Sequence, residues 1–182
     1  MTPTLLLIED DAALRRSLAQ SFELEDITVI AASSFVMAKS HITRDFSGVI
    51  LSDIRMPGKD GFDVLAYARK TDPDLPVVLL TGQADVPMAV RAMAEGAYDF
   101  RQKPCPPEQL LEVVNRALEH RHLVLKSRDM ERQLQAGDAA ATNFPGTSAP
   151  VVRLREALRQ AAALPGHAYL HGPAGAGKRL GA

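Results

Sequence analysis

Residues 49–58 read Val49-Ile50-Leu51-Ser52-Asp53-Ile54-Arg55-Met56-Pro57-Gly58, and this stretch decides the predicted fold. Three apolar residues lead into a serine and a carboxylate, after which Pro57 and Gly58 keep the loop from becoming a helix. A short run that is apolar throughout is typical of a strand buried on both faces of a parallel sheet. Asp53 is therefore predicted just past the carboxyl end of a strand over 49–52, where open α/β sheets carry their chemistry. Aspartate is also a common turn former after a strand, so this position alone leaves both roles open.

Similar apolar runs recur along the chain and alternate with segments of helical periodicity. The other predicted strands cover 4–8, 27–31, 77–81 and 98–102. Helices are predicted between them over 12–24, from Ser33 or Ser34 to about 43, from Gly61, and from Asp85 to a stop at Gly96; another opens at Pro107. Strands that alternate with helices of this length predict an α/β fold with a parallel sheet. The predicted fold is flavodoxin-like (CheY-like), a doubly wound five-stranded parallel sheet in the order 2-1-3-4-5.

Composition and charge narrow the class of protein. The chain has 182 residues, 46% of them hydrophobic and 24% charged, which is ordinary for one globular domain plus a smaller part. A net charge of −1 gives no general attraction to nucleic acid, so we expect no direct DNA binding by this chain. The single Cys105 excludes an internal disulfide and fits a reducing compartment. There is no membrane-length apolar run or signal peptide, so we expect no membrane partner and a cytoplasmic location.

Polar side chains follow four of the predicted strands. The first strand ends in Glu9 and Asp10, the third in Asp53, the fourth in Thr81 and the fifth in Lys103. Because parallel strands share one carboxyl edge, we expect these groups to lie together. Three converging carboxylates repel one another unless a hard cation such as Mg²⁺ binds them, while Lys103 and Thr81 supply a charge and a hydroxyl donor. This collection indicates Mg²⁺-dependent phosphoryl transfer to a carboxylate.

The order and spacing of these motifs are similar to those of a known family. Residues 4 to about 120 resemble the receiver domain of a two-component response regulator. The resemblance rests on four pieces: Leu7-Ile8-Glu9-Asp10-Asp11, Ser52-Asp53-Ile54-Arg55-Met56-Pro57-Gly58, Leu80-Thr81-Gly82, and Gly96-Ala97-Tyr98-Asp99-Phe100 followed by Lys103-Pro104.

The resemblance implies a role for each acidic residue. Asp53 resembles the phosphoacceptor, which takes its phosphoryl group from a sensor histidine kinase in a Mg²⁺-dependent step. Asp10 resembles the carboxylate that ligates Mg²⁺ directly, and Glu9 the acid that acts through water. Asp53 itself and the backbone carbonyl of Arg55 resemble the remaining metal ligands. The resemblance further implies a domain that catalyses its own phosphorylation and dephosphorylation and is not otherwise an enzyme.

The resemblance also implies a switch. Thr81 and Lys103 resemble the residues that hold the phosphoryl group, and Phe100 resembles the aromatic that reorients on activation together with Thr81. The bond between Lys103 and Pro104 resembles one that is often cis in this family. Each residue has a plainer alternative, since Thr81 could merely end a strand, Phe100 could be core and Lys103 could be a solvated charge.

The helix that opens at Pro107 is longer than a receiver domain needs. Its apolar residues follow heptad positions with Arg121 interrupting, and after a slip in register they continue less regularly to a stop at Gly137. We therefore predict a homodimer through the 107–135 helix, whereas a monomeric helix with a mixed surface is the alternative. The heptad residues are Leu111, Val114, Leu118 and Leu125, followed by Leu123, Met130 and Leu134.

The remainder of the chain resembles the start of a second domain. Residues 137–150 have linker composition, 151–162 are amphipathic, and 168–170 are strand-like. A P-loop pattern, Gly172-Pro173-Ala174-Gly175-Ala176-Gly177-Lys178, follows, with Arg179 where the common motif has Ser or Thr. This order, including Gly146-Thr147-Ser148, resembles sigma-54-dependent transcription activators of the nitrogen-regulation and dicarboxylate-transport types.

These features predict three parts. Residues 1–120 form the receiver domain, 121–144 a helical extension and linker, and 145–182 a truncated start of an AAA+ domain. Its vestigial nucleotide site would be formed by Gly172, Gly177 and Lys178, and we expect no ATPase activity.

The predicted function is a response regulator in a phosphorelay whose phosphorylation controls conformation and dimerisation. One alternative is an ATP-dependent sigma-54 activator of which these residues are only the N-terminal fragment. Another is a phosphatase or phosphotransferase with an aspartyl intermediate, although that class typically needs a second acid where this chain has Arg55.

Overall fold

Five parallel strands form one sheet in the order β2-β1-β3-β4-β5. The structure is a computed structural model that describes residues 3–83, 86–136 and 139–162. The predicted fold class and strand order are confirmed, and strand bounds differ from the predicted ones by a residue at most. The strands are β1 Thr4–Ile8, β2 Thr28–Ala32, β3 Val49–Asp53, β4 Val77–Thr81 and β5 Asp99–Gln102.

Helices connect the strands and continue after the sheet is complete. They are α1 Ala12–Glu23, α2 Phe35–Ala38 with a 3-10 turn Lys39–His41, α3 Gly61–Thr71, α4 Val86–Ala94, α5 Pro107–Ala136, α6 Ala139–Asn143 and α7 Ala149–Ala162.

Two of the helices depart from the sequence prediction. Helix α2 is shorter than predicted, because the backbone of Ile42 leaves the helical region at φ −82° and ψ 90° and its side chain is buried in the core. Helix α6 lies within residues 137–150, for which the composition predicted a linker and no helix was predicted. Alanine has the highest helix propensity of all residues, which favours a short helix over this run of alanines.

The core has two layers, one on each face of the sheet. Successive side chains of a strand point to opposite faces, so Leu6 and Ile8 of β1 pack with helices α2, α3 and α4. Leu5 and Leu7 pack on the other face with α1 and α5. Strand β3 is buried at every position, as its apolar sequence predicted.

The chain divides into two compact units, residues 1–126 and 127–182. All five strands and helices α1 to α4 belong to the first unit, and the described part of the second contains α6 and α7. The predicted P-loop residues Gly172, Gly177 and Lys178 lie outside the described residues. In the part of the chain that the structure describes, no helix combines the length and the apolar character needed to cross a membrane.

Candidate functional site

Four strand ends bring the predicted polar residues to one edge of the sheet. Glu9 directly follows β1. Asp53 is the last residue of β3, so the strand extends one residue further than the predicted range 49–52. The parallel register pairs Ile8 with Ser52, so the acids at the ends of these two strands are neighbours. Thr81 is the last residue of β4, and Lys103 follows β5 next to it, with its amide donating to the Thr81 carbonyl at 2.7 Å.

Lys103 joins the acids of the first and third strands. Its Nζ lies 2.6 Å from Glu9 Oε2 and 2.9 Å from Asp53 Oδ2. The side chains are largely buried, with exposed fractions of 19% for Lys103, 2% for Glu9 and 9% for Asp53. The predicted meeting of these three residues is therefore present in the structure, and the peptide bond between Lys103 and Pro104 is cis.

Burial and charge shift the pKa values of two of these groups. Burial raises the pKa of Glu9 above its ordinary value, and the bond from Lys103 only partly opposes that shift. For Lys103, burial acts to lower the pKa, but the bonds to Glu9 and Asp53 outweigh it, so the pKa is raised and the ammonium form is favoured. The two carboxylates thus favour the charged form of a cation placed between them.

A third carboxylate completes an acidic cluster. Oxygens of Glu9, Asp10 and Asp53 all lie within 4.8 Å of one another, with Asp10 exposed and the other two buried. An all-oxygen set with one solvent-facing acid fits Mg²⁺, which binds one or two carboxylates and keeps several waters. The residues present therefore fit the predicted ion.

The remaining predicted site residues lie beside the cluster or on the strands that lead to it. The amide of Arg55 faces Asp53 Oδ1 at 3.4 Å, and its side chain is exposed. Thr81 is fully buried, and its hydroxyl donates to the Gln83 carbonyl at 3.0 Å. Phe100 is half-buried and packs against the core on the α2–α4 face of the sheet.

Two contacts at the site were not predicted from the sequence. The Ser52 hydroxyl, which is buried, donates to the backbone carbonyl of Asp53 at 2.9 Å. Arg15 Nη1 donates to the backbone carbonyls of Glu9 at 2.6 Å and Asp10 at 3.1 Å. The available signal was position, since a long basic side chain in the first turns of α1 can reach back to the loop before the helix.

Comparison with known families agrees with this geometry. The family model described as the response regulator receiver domain matches residues 5–115. The chain belongs to the response regulator receiver family. The family predicted from the sequence is thereby confirmed, and it is a regulatory rather than a known catalytic family.

Known proteins resemble the chain in sequence and in fold. The C4-dicarboxylate transport transcriptional regulatory protein DctD of Pseudomonas aeruginosa is 42% identical over 175 residues, 96% of this chain but only 38% of that relative. A receiver domain protein from Clostridium thermocellum has a TM-score of 0.63 at 28% identity, covering 67% of this chain and 98% of that one. A beryllofluoride-activated NtrC4 receiver domain dimer has a TM-score of 0.61 at 30% identity, covering 65% and 98%.

Proposed function

We propose that the chain receives a phosphoryl group on the Asp53 carboxylate from a phosphohistidine of a sensor histidine kinase. The observation that carries this proposal is the single cluster in which Lys103 contacts Glu9 and Asp53 while Asp10 stands beside them at the surface. In the transfer, an Asp53 oxygen forms a bond to phosphorus, the phosphorus–nitrogen bond breaks, and the kinase imidazole leaves with the electron pair.

The residues of this cluster divide the work of the transfer. Mg²⁺, held by Glu9, Asp10, Asp53 and the Arg55 carbonyl, would neutralise the charge of the transferring group. The same acids favour the ammonium form of Lys103. Its ammonium group can exchange its contact with the Asp53 carboxylate for a contact with the phosphoryl oxygens as negative charge moves onto them. Catalysis is then mostly positioning and electrostatics, and the domain would phosphorylate and dephosphorylate itself without further catalytic groups.

The switch would begin at Thr81. Its hydroxyl bonds to the Gln83 carbonyl in the loop after β4, so turning toward a phosphoryl oxygen requires that bond to break. Movement of this loop and of the half-buried Phe100 would then bias the last helices and strand between two states.

The relatives suggest the setting of this switch. DctD is named a transcriptional regulatory protein, and the order of motifs in this chain resembles the sigma-54-dependent class. Phosphorylation is therefore proposed to control a regulatory output of that class in the cytoplasm. The NtrC4 receiver was solved as a dimer, which supports dimerisation of this chain but does not identify the surface. We propose that a homodimer forms through the 107–135 helix, in the part of α5 that follows Arg121.

A Phos-tag gel after incubation with acetyl phosphate and Mg²⁺ tests the acceptor. The wild-type chain should give a shifted band that disappears in Asp53→Asn, whereas Asp45→Asn, an exposed acid in the loop before β3, should shift like wild type. A shifted band of undiminished intensity in Asp53→Asn would exclude Asp53 as the acceptor.

A further inference from the structure

Arg15 ties the loop that carries the acidic cluster to helix α1. A single guanidinium nitrogen, Nη1, donates to the carbonyls of both Glu9 and Asp10. The backbone amide of the same residue donates to the Asp11 carbonyl at 2.9 Å. Three consecutive carbonyls of the loop are therefore held from one residue, and two of those bonds are charge-assisted.

The N-terminal cap of α1 by Asp11 and the Arg15 contacts together fix the backbone around Asp10. Asp11 Oδ1 accepts from the amides of Ala13 and Leu14, which fixes the end of the loop that enters α1. Among the residues that the structure describes, none donates a hydrogen bond to the exposed Asp10 carboxylate. The backbone therefore sets the direction of the Cα–Cβ bond on which that carboxylate is carried, and Arg15 holds the carbonyls on either side of the Asp10 Cα.

We propose that Arg15 is a positioning residue for the Mg²⁺ site, which orients the Asp10 carboxylate through the two carbonyls it binds. This role rests on the proposed function, because it concerns the same ion. Arg15 itself touches neither the ion nor the phosphoryl group in this account.

Charge and positioning predict opposite effects when Arg15 is replaced. A positive charge beside a cation site weakens cation binding, so its removal would tighten Mg²⁺ binding if charge were the only contribution. Loss of a group that orients a ligand weakens metal binding instead, typically about 10-fold or more. The direction of the change in Mg²⁺ affinity therefore separates the two effects.

The test is a Mg²⁺ titration of the full chain, followed by amide NMR shifts, with wild type, Arg15→Gln, Arg15→Lys and Arg16→Gln. Arg16 is the matched control, since it is the next residue of α1 and its side chain is exposed. We expect the Mg²⁺ dissociation constant of Arg15→Gln to rise about 10-fold above that of wild type. The value for Arg15→Lys should lie between those of wild type and Arg15→Gln, and the value for Arg16→Gln should stay within about twofold of wild type. Thermal melts of the same samples show whether each variant is folded at the titration temperature.

Two results would overturn the proposal. One is an unchanged or tighter Mg²⁺ affinity in folded Arg15→Gln, which would leave Arg15 only a structural or electrostatic role. The other is an equal loss in Arg16→Gln, which would assign the effect to the charge of the helix. Failure of wild type to bind Mg²⁺ would instead contradict the proposed function, so the two failures are distinguishable.

Discussion

Arg121 of α5 and Asp72, which follows α3, form an ion pair of 2.7 Å in which both side chains are fully buried. The other guanidinium nitrogens also donate, Nε to the Phe46 carbonyl at 2.9 Å and Nη2 to the Arg44 carbonyl at 2.8 Å. The second oxygen of Asp72 accepts from the amide of Asp74 at 3.0 Å. Helix α5 is thus fastened to the loops before β3 and β4, at the edge of the sheet opposite the acidic cluster.

Replacing Arg121 should destabilise the receiver strongly. Arg121→Ala leaves the Asp72 carboxylate buried without its cation, a change that typically costs about 3–5 kcal/mol. Arg116→Ala is the matched control on the same helix, because the Arg116 side chain is 56% exposed and Asp99 keeps its ion pair with Arg101 when Arg116 is removed. This change should cost no more than about 1 kcal/mol. Urea unfolding measures both free energies. Similar small losses in the two variants would show that the buried pair does not hold α5 in place.

The same contact shows what the heptad pattern of α5 could and could not predict. Val114 is fully buried in the core beside α1, and Leu111 and Leu118 pack against that cluster. A helix face that covers a sheet and a face that pairs with a second helix share the same spacing of apolar residues, so sequence does not distinguish them. The apparent interruption at Arg121 is a core residue, whose partners lie 49 to 77 positions away in the chain.

The acidic cluster was more predictable than α5. Glu9 and Asp53 come at the ends of strands whose apolar runs mark them as buried, and parallel strands place their ends at one edge. Lys103 follows β5, a more polar and only half-buried strand that was predicted from the alternation of strands and helices. The contacts of Arg15 and the Thr81 hydroxyl were not predictable in this way. Position near the start of α1 indicates that Arg15 can reach the preceding loop, but neither burial pattern nor spacing determines which backbone carbonyls these side chains contact.

Removing Lys103 should change ion binding and phosphorylation in opposite directions. Lys103→Met removes a cation 2.6 to 2.9 Å from two of the three carboxylates, so Mg²⁺ affinity should increase by at least about tenfold. Phosphorylation of Asp53 by acetyl phosphate should slow, because no ammonium group is then present to stabilise the negative charge on the phosphoryl oxygens. Mg²⁺ titration and single-turnover labelling measure the two effects. Lys103→Arg keeps the charge and should bind Mg²⁺ much as wild type does, whereas equal affinity in Lys103→Met would refute the electrostatic argument.

The start of α3 should contribute a pH-dependent part of the stability. Lys59 Nζ bonds to Asp63 Oδ1 at 2.9 Å, and the Asp60 amide bonds to the other oxygen in a reciprocal cap. The bond from Lys59 and then that from the Asp60 amide hold the pKa of Asp63 below its ordinary value of 3.8. A carboxyl with a lowered folded-state pKa stabilises the fold above its unfolded pKa, and this contribution disappears as pH falls through the folded value.

Asp63→Asn tests that pH dependence. Urea midpoints of wild type and Asp63→Asn should differ at pH 6 and converge as pH falls below about 4. Lys59→Met removes the largest cause of the lowered Asp63 pKa. The Asp63 pKa of the folded state should then lie nearer to that of the unfolded state, so the stability of this variant should depend less on pH between 6 and 3. A gap between wild type and Asp63→Asn that stays constant from pH 6 to pH 3 would contradict the assignment.

Dimerisation, if it uses α5, should depend on the apolar residues after Arg121 rather than on those before it. Leu123 and Met130 are 58% and 57% exposed and lie seven positions apart, so they share one stripe of the helix. Light scattering of the full chain with beryllofluoride and Mg²⁺ should give the mass of a dimer in wild type and of a monomer in Leu123→Asp/Met130→Asp. The control pair Val36→Asp/Met37→Asp alters apolar residues on α2 that are at least as exposed, at 77% and 59%, and should leave the dimer intact. Because Val114 is already buried inside its own receiver, a dimer that survives the first pair of changes must use another surface.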